Sequence, residues 1–207
     1  DMREAAEIIR SGGLVAFPTE TVYGLGANAL DPEASKRIYA AKGRPSDNPL
    51  IVHICRFEEL LSIAKEVPPQ AEKLADAFWP GPLTMIVWKN EKVPYETTGG
   101  MDTVAIRMPN HPVALALIDE SGCMIAAPSA NTAGRPSPTK AEHVIEDMDG
   151  KIEMVIDGGA VGIGVESTIV DVSSEVPTLL RPGAITIEML RETLGGAGWN
   201  RHRIYDH

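Results

Sequence analysis

Cysteine is scarce in this chain: 207 residues carry two, Cys55 and Cys123, each inside an apolar segment. So few excludes a disulfide framework, and their wide separation excludes a zinc-ligand spacing. Both read as small buried hydrophobes of a reducing, cytoplasmic protein. Long apolar runs are missing too. The longest, Val113–Ile118, covers six residues, against the ~20 that a membrane-spanning helix needs. No positively charged start leads into an apolar stretch with a small-residue cleavage site, so no secretory signal is read, and Asp1 before Met2 points to a trimmed or engineered start. Aromatics make up 5% of the residues, and the three tryptophans are too scattered for a base-stacking platform. Positive charge is in deficit, 19 Lys and Arg against 29 Asp and Glu, for a net −10. A surface of that sign does not wrap nucleic acid, because phosphate binding needs clustered Lys and Arg. It leaves room for a local cationic pocket. The familiar catalytic signatures are also absent: no G-x-x-x-x-G-K-[ST], no G-x-S-x-G and no H-E-x-x-H.

What is present is a chain that can bury a core, 43% hydrophobic and 23% charged. Short β-type runs alternate with helical segments. Arg3–Arg10 sets Ala5, Ala6, Ile8 and Ile9 on one helical face, and Leu14–Phe17 reads as a buried strand. A loop carrying Gly24 and Gly26 follows. Asp31 and Pro32 are an N-cap and a first-turn proline, and Gly43 ends that helix. Leu50–Ile54, Leu83–Trp88, Thr103–Arg107, Met124–Ala127, Met154–Ile156, Thr168–Val172, Thr178–Leu180 and Ala184–Ile185 read as further strands. Thr139-Lys-Ala-Glu142 has capping-box spacing and predicts a helix start. The fold class is α/β: residues 1–196 as a single domain with a mixed sheet and flanking helices, and residues 197–207 as a tail or the start of a truncated linker.

Gly24-Leu-Gly26-Ala-Asn-Ala29 formally fits the dinucleotide fingerprint G-x-G-x-x-A. The true motif sits in the tight turn after its strand, whereas Thr19–Tyr23 intervene here, so loop flexibility is the simpler reading. Four polar stretches carry more weight. Pro18-Thr-Glu-Thr-Val-Tyr-Gly-Leu-Gly26 gathers hydroxyls and a carboxylate at a strand end, where open α/β sheets bind ligands. Lys42-Gly-Arg-Pro-Ser-Asp-Asn-Pro49 closes a helix with two cations, which alone fits dipole compensation. Its prolines also stiffen a loop of donors suited to a polyphosphate, and His53 follows in an apolar strand. Ser129 and Asn131, two apart at a strand end, point the same way if the chain stays extended. The fourth is Gly164-Val-Glu-Ser167-Thr168-Ile-Val-Asp171 with Arg181-Pro-Gly183 beyond it. Arg107 and Arg181 each follow an apolar strand, so each stem lies among core atoms and each head needs a partner, a structural carboxylate or an anionic ligand. Two such arginines favour the ligand.

Taken in order, the segments Pro18–Gly26, Lys42–His53, Ser129–Asn131, Ser167–Asp171 and Arg181–Gly183 resemble the YrdC-like family, the threonylcarbamoyl-AMP synthases of tRNA modification. The resemblance runs from about residue 3 to 195. It implies a twisted mixed sheet with helices around a concave pocket, and a nucleotidyltransferase that turns L-threonine, bicarbonate and ATP into threonylcarbamoyl-adenylate and pyrophosphate. It implies a cytoplasmic enzyme working ahead of a separate tRNA threonylcarbamoyl-transferase complex, with weak tRNA contact at most. Magnesium is expected as the cofactor, brought with ATP rather than held in an acidic cage. No enzyme-borne nucleophile is expected, because the substrate carbamate attacks. Carried across motif by motif, Thr21, His53, Arg107, Ser129 and Ser167 form the threonine side. Lys42, Arg44, Asn48, Thr103, Asn131, Thr139 and Arg181 form the ATP side. Thr103 and Thr139 are equally explained as a strand position and a cap. Larger family members carry a linker and a second domain after this point. The alternatives are a carbamoyl-transfer module like those in hydrogenase-maturation proteins, which the missing acylphosphatase-like and zinc-finger segments disfavour, and a non-enzymatic RNA-binding module, which the net charge disfavours.

Overall fold

Asp31 is extended, and its carboxylate accepts from the backbone N–H groups of Glu33 and Ala34 at 3.0 and 3.3 Å. With Pro32 at the first helical position, this fixes where the second helix starts. Gly43, left-handed at φ 66°, ends it, so Lys42 is placed as the last helical residue. A computed structural model describes residues 1–43, 48–162 and 164–195. In chain order the elements are α1 (Met2–Arg10), β1 (Val15–Pro18), β2 (Tyr23–Asn28), α2 (Pro32–Lys42), β3 (Ile51–His53), α3 (Phe57–Ile63), α4 (Pro69–Phe78) and β4 (Leu83–Trp88). They continue with α5 (Tyr95–Thr98), β5 (Thr103–Arg107), α6 (Pro112–Ser121), β6 (Ile125–Ala126), α7 (Ala141–Met148), β7 (Met154–Val155), β8 (Thr168–Asp171), β9 (Thr178–Arg181) and α8 (Ile187–Leu194).

Among the described residues the strands form one open mixed sheet in the order β7-β1-β2-β6-β3-β5-β4-β8-β9. β3 lies parallel to β5 with His53 opposite Arg107, and antiparallel to β6 with His53 opposite Ile125. β4 is antiparallel to β5 and parallel to β8. The C-terminal ends of β3, β5 and β9 therefore fall at the same end of the sheet as the first residues of β4 and β8. Alternate residues point to opposite faces, and the core accordingly splits in two. The larger cluster includes Leu14, Ala16, Leu25, Val52, Ile54, Met85 and Ile106. The smaller one gathers Val15, Phe17, Ile125 and Ala127 beneath Ala5 and Ile9 of α1 and Ala114, Leu117 and Ile118 of α6.

The fold departs from the sequence reading at definite places. The stretch with Gly24 and Gly26 is not a loop but the strand β2, hairpinned on β1 with Gly24 opposite Phe17 and Gly26 opposite Val15. The glycines are required by close packing: a Cβ at Gly26 would lie 2.7 Å from both Phe17 Cε1 and Ile125 Cγ2. A strand interior offers no helix N-terminus for a pyrophosphate, so the dinucleotide fingerprint is excluded. Thr139 does not cap a helix. α7 starts at Ala141 with Lys140 at the N-cap and no side-chain cap bond, because the Thr139 carbonyl accepts from Val161 N at 2.9 Å and ties it into a loop. The stretch Thr97–Met101, which its glycines mark as a loop in the sequence, begins within the helical turn α5. Ala184 and Ile185 lie outside any strand; Ile185 N instead donates to Thr168 Oγ1 at 3.1 Å. Cys55 and Cys123 are half-buried rather than buried. Burial pushes the Cys55 thiol up to about 12 and the Cys123 thiol upward. Residues 197–207, read as a tail, lie outside the described residues. No helix among the described residues is long and apolar enough to cross a membrane.

Candidate functional site

The turn from β1 to β2 is closed by the Thr19 backbone N–H, which donates to the Val22 carbonyl at 3.1 Å, and by the Thr19 hydroxyl. Thr19 Oγ1 donates to the Val22 carbonyl at 2.7 Å and accepts from Thr21 N and Val22 N at 3.2 and 3.3 Å. Hydroxyl side chains close such turns by replacing a backbone partner. The tight turn sends Glu20 toward the end of β5. There Arg107, 2% exposed, donates from Nη1 to Glu20 Oε1 at 2.5 Å and to the Gly81 carbonyl at 3.3 Å, and from Nη2 to Thr21 Oγ1 at 3.2 Å. Burial lowers the pKa of Arg107, and Glu20 works against that shift. The partner that the sequence left open for this arginine thus includes a structural carboxylate.

Arg181, at the end of β9, donates from Nε to the Ser167 carbonyl at 2.9 Å, from Nη2 to Ser167 Oγ at 3.1 Å and from Nη1 to Glu166 Oε2 at 3.2 Å. Its pKa is lowered chiefly by burial, with Glu166 opposing and Arg107 adding repulsion. The two guanidiniums are therefore close enough to feel one another. Ser167 Oγ also shares a 2.6 Å hydrogen bond with Thr84 Oγ1 at the start of β4. Lys42, 3% exposed, reaches from the end of α2 and donates from Nζ to the Ser129 carbonyl at 2.5 Å.

These groups surround one cavity of about 480 Å³. Of the residues singled out from the sequence, Thr21, Lys42, Asn48, His53, Arg107, Ser129, Asn131, Ser167 and Arg181 line it. Thr103 does not: it opens β5 opposite Trp88, roughly 13 Å along the strand from Arg107. Thr139 is not in the lining either, its place in the 139–161 loop contact being the reason. Arg44 lies outside the described residues. Sequence reasoning missed Glu20 and Glu166 as the carboxylates of Arg107 and Arg181. The usable signal was proximity to the motifs already noted, since each arginine pairs with an acid inside one of the polar stretches.

Two further features shape the chemistry. Asn131 donates from Nδ2 to the carbonyls of Thr132 and Arg135 at 3.0 and 2.8 Å, which fixes its amide orientation. Its buried Oδ1 then has no partner among the described residues, so it is an acceptor suited to a ligand N–H or O–H. His53 packs edge-on to Phe17 at 6.0 Å and hydrogen-bonds through Nδ1 to the Ile51 carbonyl at 3.0 Å. A carbonyl only accepts, so Nδ1 carries the proton. Burial, with Arg107 adding to it, pulls the imidazole down to about 3, and the ring is neutral at working pH. No hydrogen bond among the described residues joins His53 to a hydroxyl, the contact that a serine–histidine relay uses.

This depressed histidine pKa has a stability consequence. Between pH 6.5 and about 3 the unfolded chain binds a proton at His53 that the folded chain refuses. Stability is therefore undiminished above pH 6.5 and falls as pH drops through that window, by ~1.4 kcal/mol per pH unit for one group. Urea unfolding at pH 7 and pH 5 checks this. The loss of stability between the two should be smaller by about 2 kcal/mol in His53→Asn, whose amide can still donate to Ile51. Equal losses in the two proteins would contradict it.

Among the described residues, three cationic side chains, Lys42, Arg107 and Arg181, line the polar cavity of this mixed-sheet α/β protein, in a class of fold whose ligands bind at strand ends. The chain belongs to the Sua5/YciO/YrdC family, whose model, described as telomere recombination, matches residues 7–183. The threonylcarbamoyl-AMP synthase of Pyrococcus abyssi is 61% identical over 194 residues, covering 94% of this chain and 57% of that protein. That of Bacillus subtilis is 56% identical over 193 residues, covering 93% and 56%. The crystal structure of Pyrococcus abyssi Sua5 complexed with L-threonine matches with a TM-score of 0.93 at 59% identity, over 96% of this chain and 58% of that one. The chain spans somewhat more than half the length of these relatives.

Proposed function

We propose that this chain carries the synthase activity of its relatives, joining L-threonine, bicarbonate and ATP into L-threonylcarbamoyladenylate, pyrophosphate and water. One observation supports the reading: Lys42, Arg107 and Arg181 converge on a single cavity that also offers hydroxyls and amides. The threonine ammonium loses a proton, and its nitrogen adds to the bicarbonate carbon with loss of water to give a carbamate. A carbamate oxygen then attacks the α-phosphorus of ATP as the bond to the β-phosphate oxygen breaks, and pyrophosphate leaves with that electron pair. The substrate is its own nucleophile, so the protein supplies alignment, worth up to ~7–11 kcal/mol, and donors aimed at developing phosphate charge.

Thr21, His53, Arg107, Ser129 and Ser167 take threonine in this reading, with Arg107 on its carboxylate. Lys42, Asn48, Asn131 and Arg181 take ATP, joined by Arg44. Ser167 belongs to one side and hydrogen-bonds Arg181 of the other, so the two subsites meet where the carbamate must reach phosphorus. Magnesium would neutralise charge on the departing pyrophosphate. Among the described residues the lining offers it one carboxylate, Glu166, already paired with Arg181, and no cluster of three acidic, histidine or cysteine side chains occurs. That donor set fits a cation held by the nucleotide's own phosphates. A cytoplasmic protein handing its adenylate to a tRNA-modifying transferase completes the reading.

Pyrophosphate release from ATP and bicarbonate, measured with and without threonine, tests the proposal. Release that depends on both threonine and bicarbonate is expected. Release driven by carbamoyl phosphate, or RNA binding with no adenylate formed, would replace this reading with a carbamoyl-transfer or RNA-binding one.

A further inference from the structure

We infer that Glu20 is a positioning residue: it holds one edge of the Arg107 guanidinium so that the other edge is presented to the amino-acid carboxylate. The inference rests on the threonine reading of the cavity and goes one residue deeper. A guanidinium has five N–H donors in a rigid fork. Both hydrogens of Nη1 are occupied, by Glu20 Oε1 and the Gly81 carbonyl, and one of Nη2 by Thr21 Oγ1. Nε and one Nη2 hydrogen have no partner among the described residues, which leaves two donors of the fork for a ligand carboxylate. Thr21 and Arg107 line the cavity whereas Glu20 does not, so Glu20 acts through the arginine and not on the ligand.

Glu20 is itself immobilised. Its Oε2 accepts from Asn110 N at 2.7 Å. Its backbone lies in the turn closed by Thr19, and Gly162 backs that turn so closely that a Cβ there would sit 2.6 Å from the Glu20 carbonyl oxygen. Ligand arrival therefore requires no exchange of partners at Arg107. The resident carboxylate keeps the buried guanidinium compensated in the empty cavity, and the binding edge is ordered before the ligand comes.

The test titrates threonine and ATP separately into the full chain and into Glu20→Ala and Glu20→Gln, with thermal unfolding alongside. Glu20→Ala should weaken threonine by about tenfold or more, raise the KM for threonine more than it lowers kcat, and leave ATP affinity within about twofold. Glu20→Gln keeps an acceptor for Nη1 and should restore most of the threonine affinity, which also guards against an alanine variant that fails to fold. Unchanged threonine affinity in both variants, or equal losses for threonine and ATP that track unfolding temperature, overturns the inference. A wild-type chain that binds no threonine instead overturns the functional reading beneath it.

Discussion

Replacing Arg107 with alanine is expected to raise the KM for threonine by roughly 30-fold or more, as truncating one member of a buried charge pair costs ~2–5 kcal/mol. The effect is large because this guanidinium is 2% exposed and holds Glu20, Gly81 and Thr21 at once. Its loss removes the proposed anchor for the amino-acid carboxylate and leaves Glu20 with the Asn110 N–H as its hydrogen-bond donor among the described residues. Arg107→Lys restores the charge but not the fork, and an ammonium is a point charge on a flexible stem. Lysine should therefore rescue unfolding temperature better than it rescues threonine turnover. Steady-state kinetics with threonine varied at saturating ATP reads both variants, and a near-normal threonine KM for Arg107→Ala would contradict the assignment.

Gly162→Ala should be nearly as damaging, although residue 162 donates to no ligand in the proposed mechanism. Gly162 adopts φ +43°, and a Cβ there would stand 2.6 Å from the carbonyl oxygens of both Glu20 and Thr21. The obstacle is backbone, which cannot swing aside as a flexible side chain can. Overpacking of this kind costs ~1–3 kcal/mol, and a left-handed alanine adds to it. In a chain of this size each kcal/mol lowers the unfolding temperature by roughly 2–4 °C. The displaced turn should carry Glu20 and Thr21 with it and raise the threonine KM. Gly159→Ala is the control: φ is +85°, with no neighbouring heavy atom within 4 Å. It suffers the conformational cost without the clash. Equal unfolding temperatures and equal KM values for the two variants would show that the packing of the loop on the turn is immaterial.

Local signals served well where local chemistry decides structure. Asp31 and Pro32 open α2 and Gly43 closes it, as the sequence reads. They failed where the deciding contact is remote. Gly24 and Gly26 look like loop residues because glycine hides the alternation that marks a strand; only the Phe17 ring and Ile125, across the sheet, explain them. Thr139 has the spacing of a cap, and a carbonyl contact to Val161 takes it elsewhere. The cavity itself was legible as a set of polar stretches, since cations and hydroxyls stood out at the ends of apolar runs. Which acid meets which arginine was not. Glu20 and Arg107 lie 87 positions apart, and they meet because the turn after β1 reaches Arg107 across a sheet in which three strands separate β1 from β5.

That strand order has a last consequence. The binding surface draws on segments from Thr19 to Arg181, almost the whole width of the sheet, so no shorter fragment possesses it. An occupant has affinity only for the finished chain, and its free energy is added to global folding rather than to one subregion. Hydrogen exchange should report this as slower opening at amides far from the cavity, in Leu14 and Val87 as much as beside the ligand.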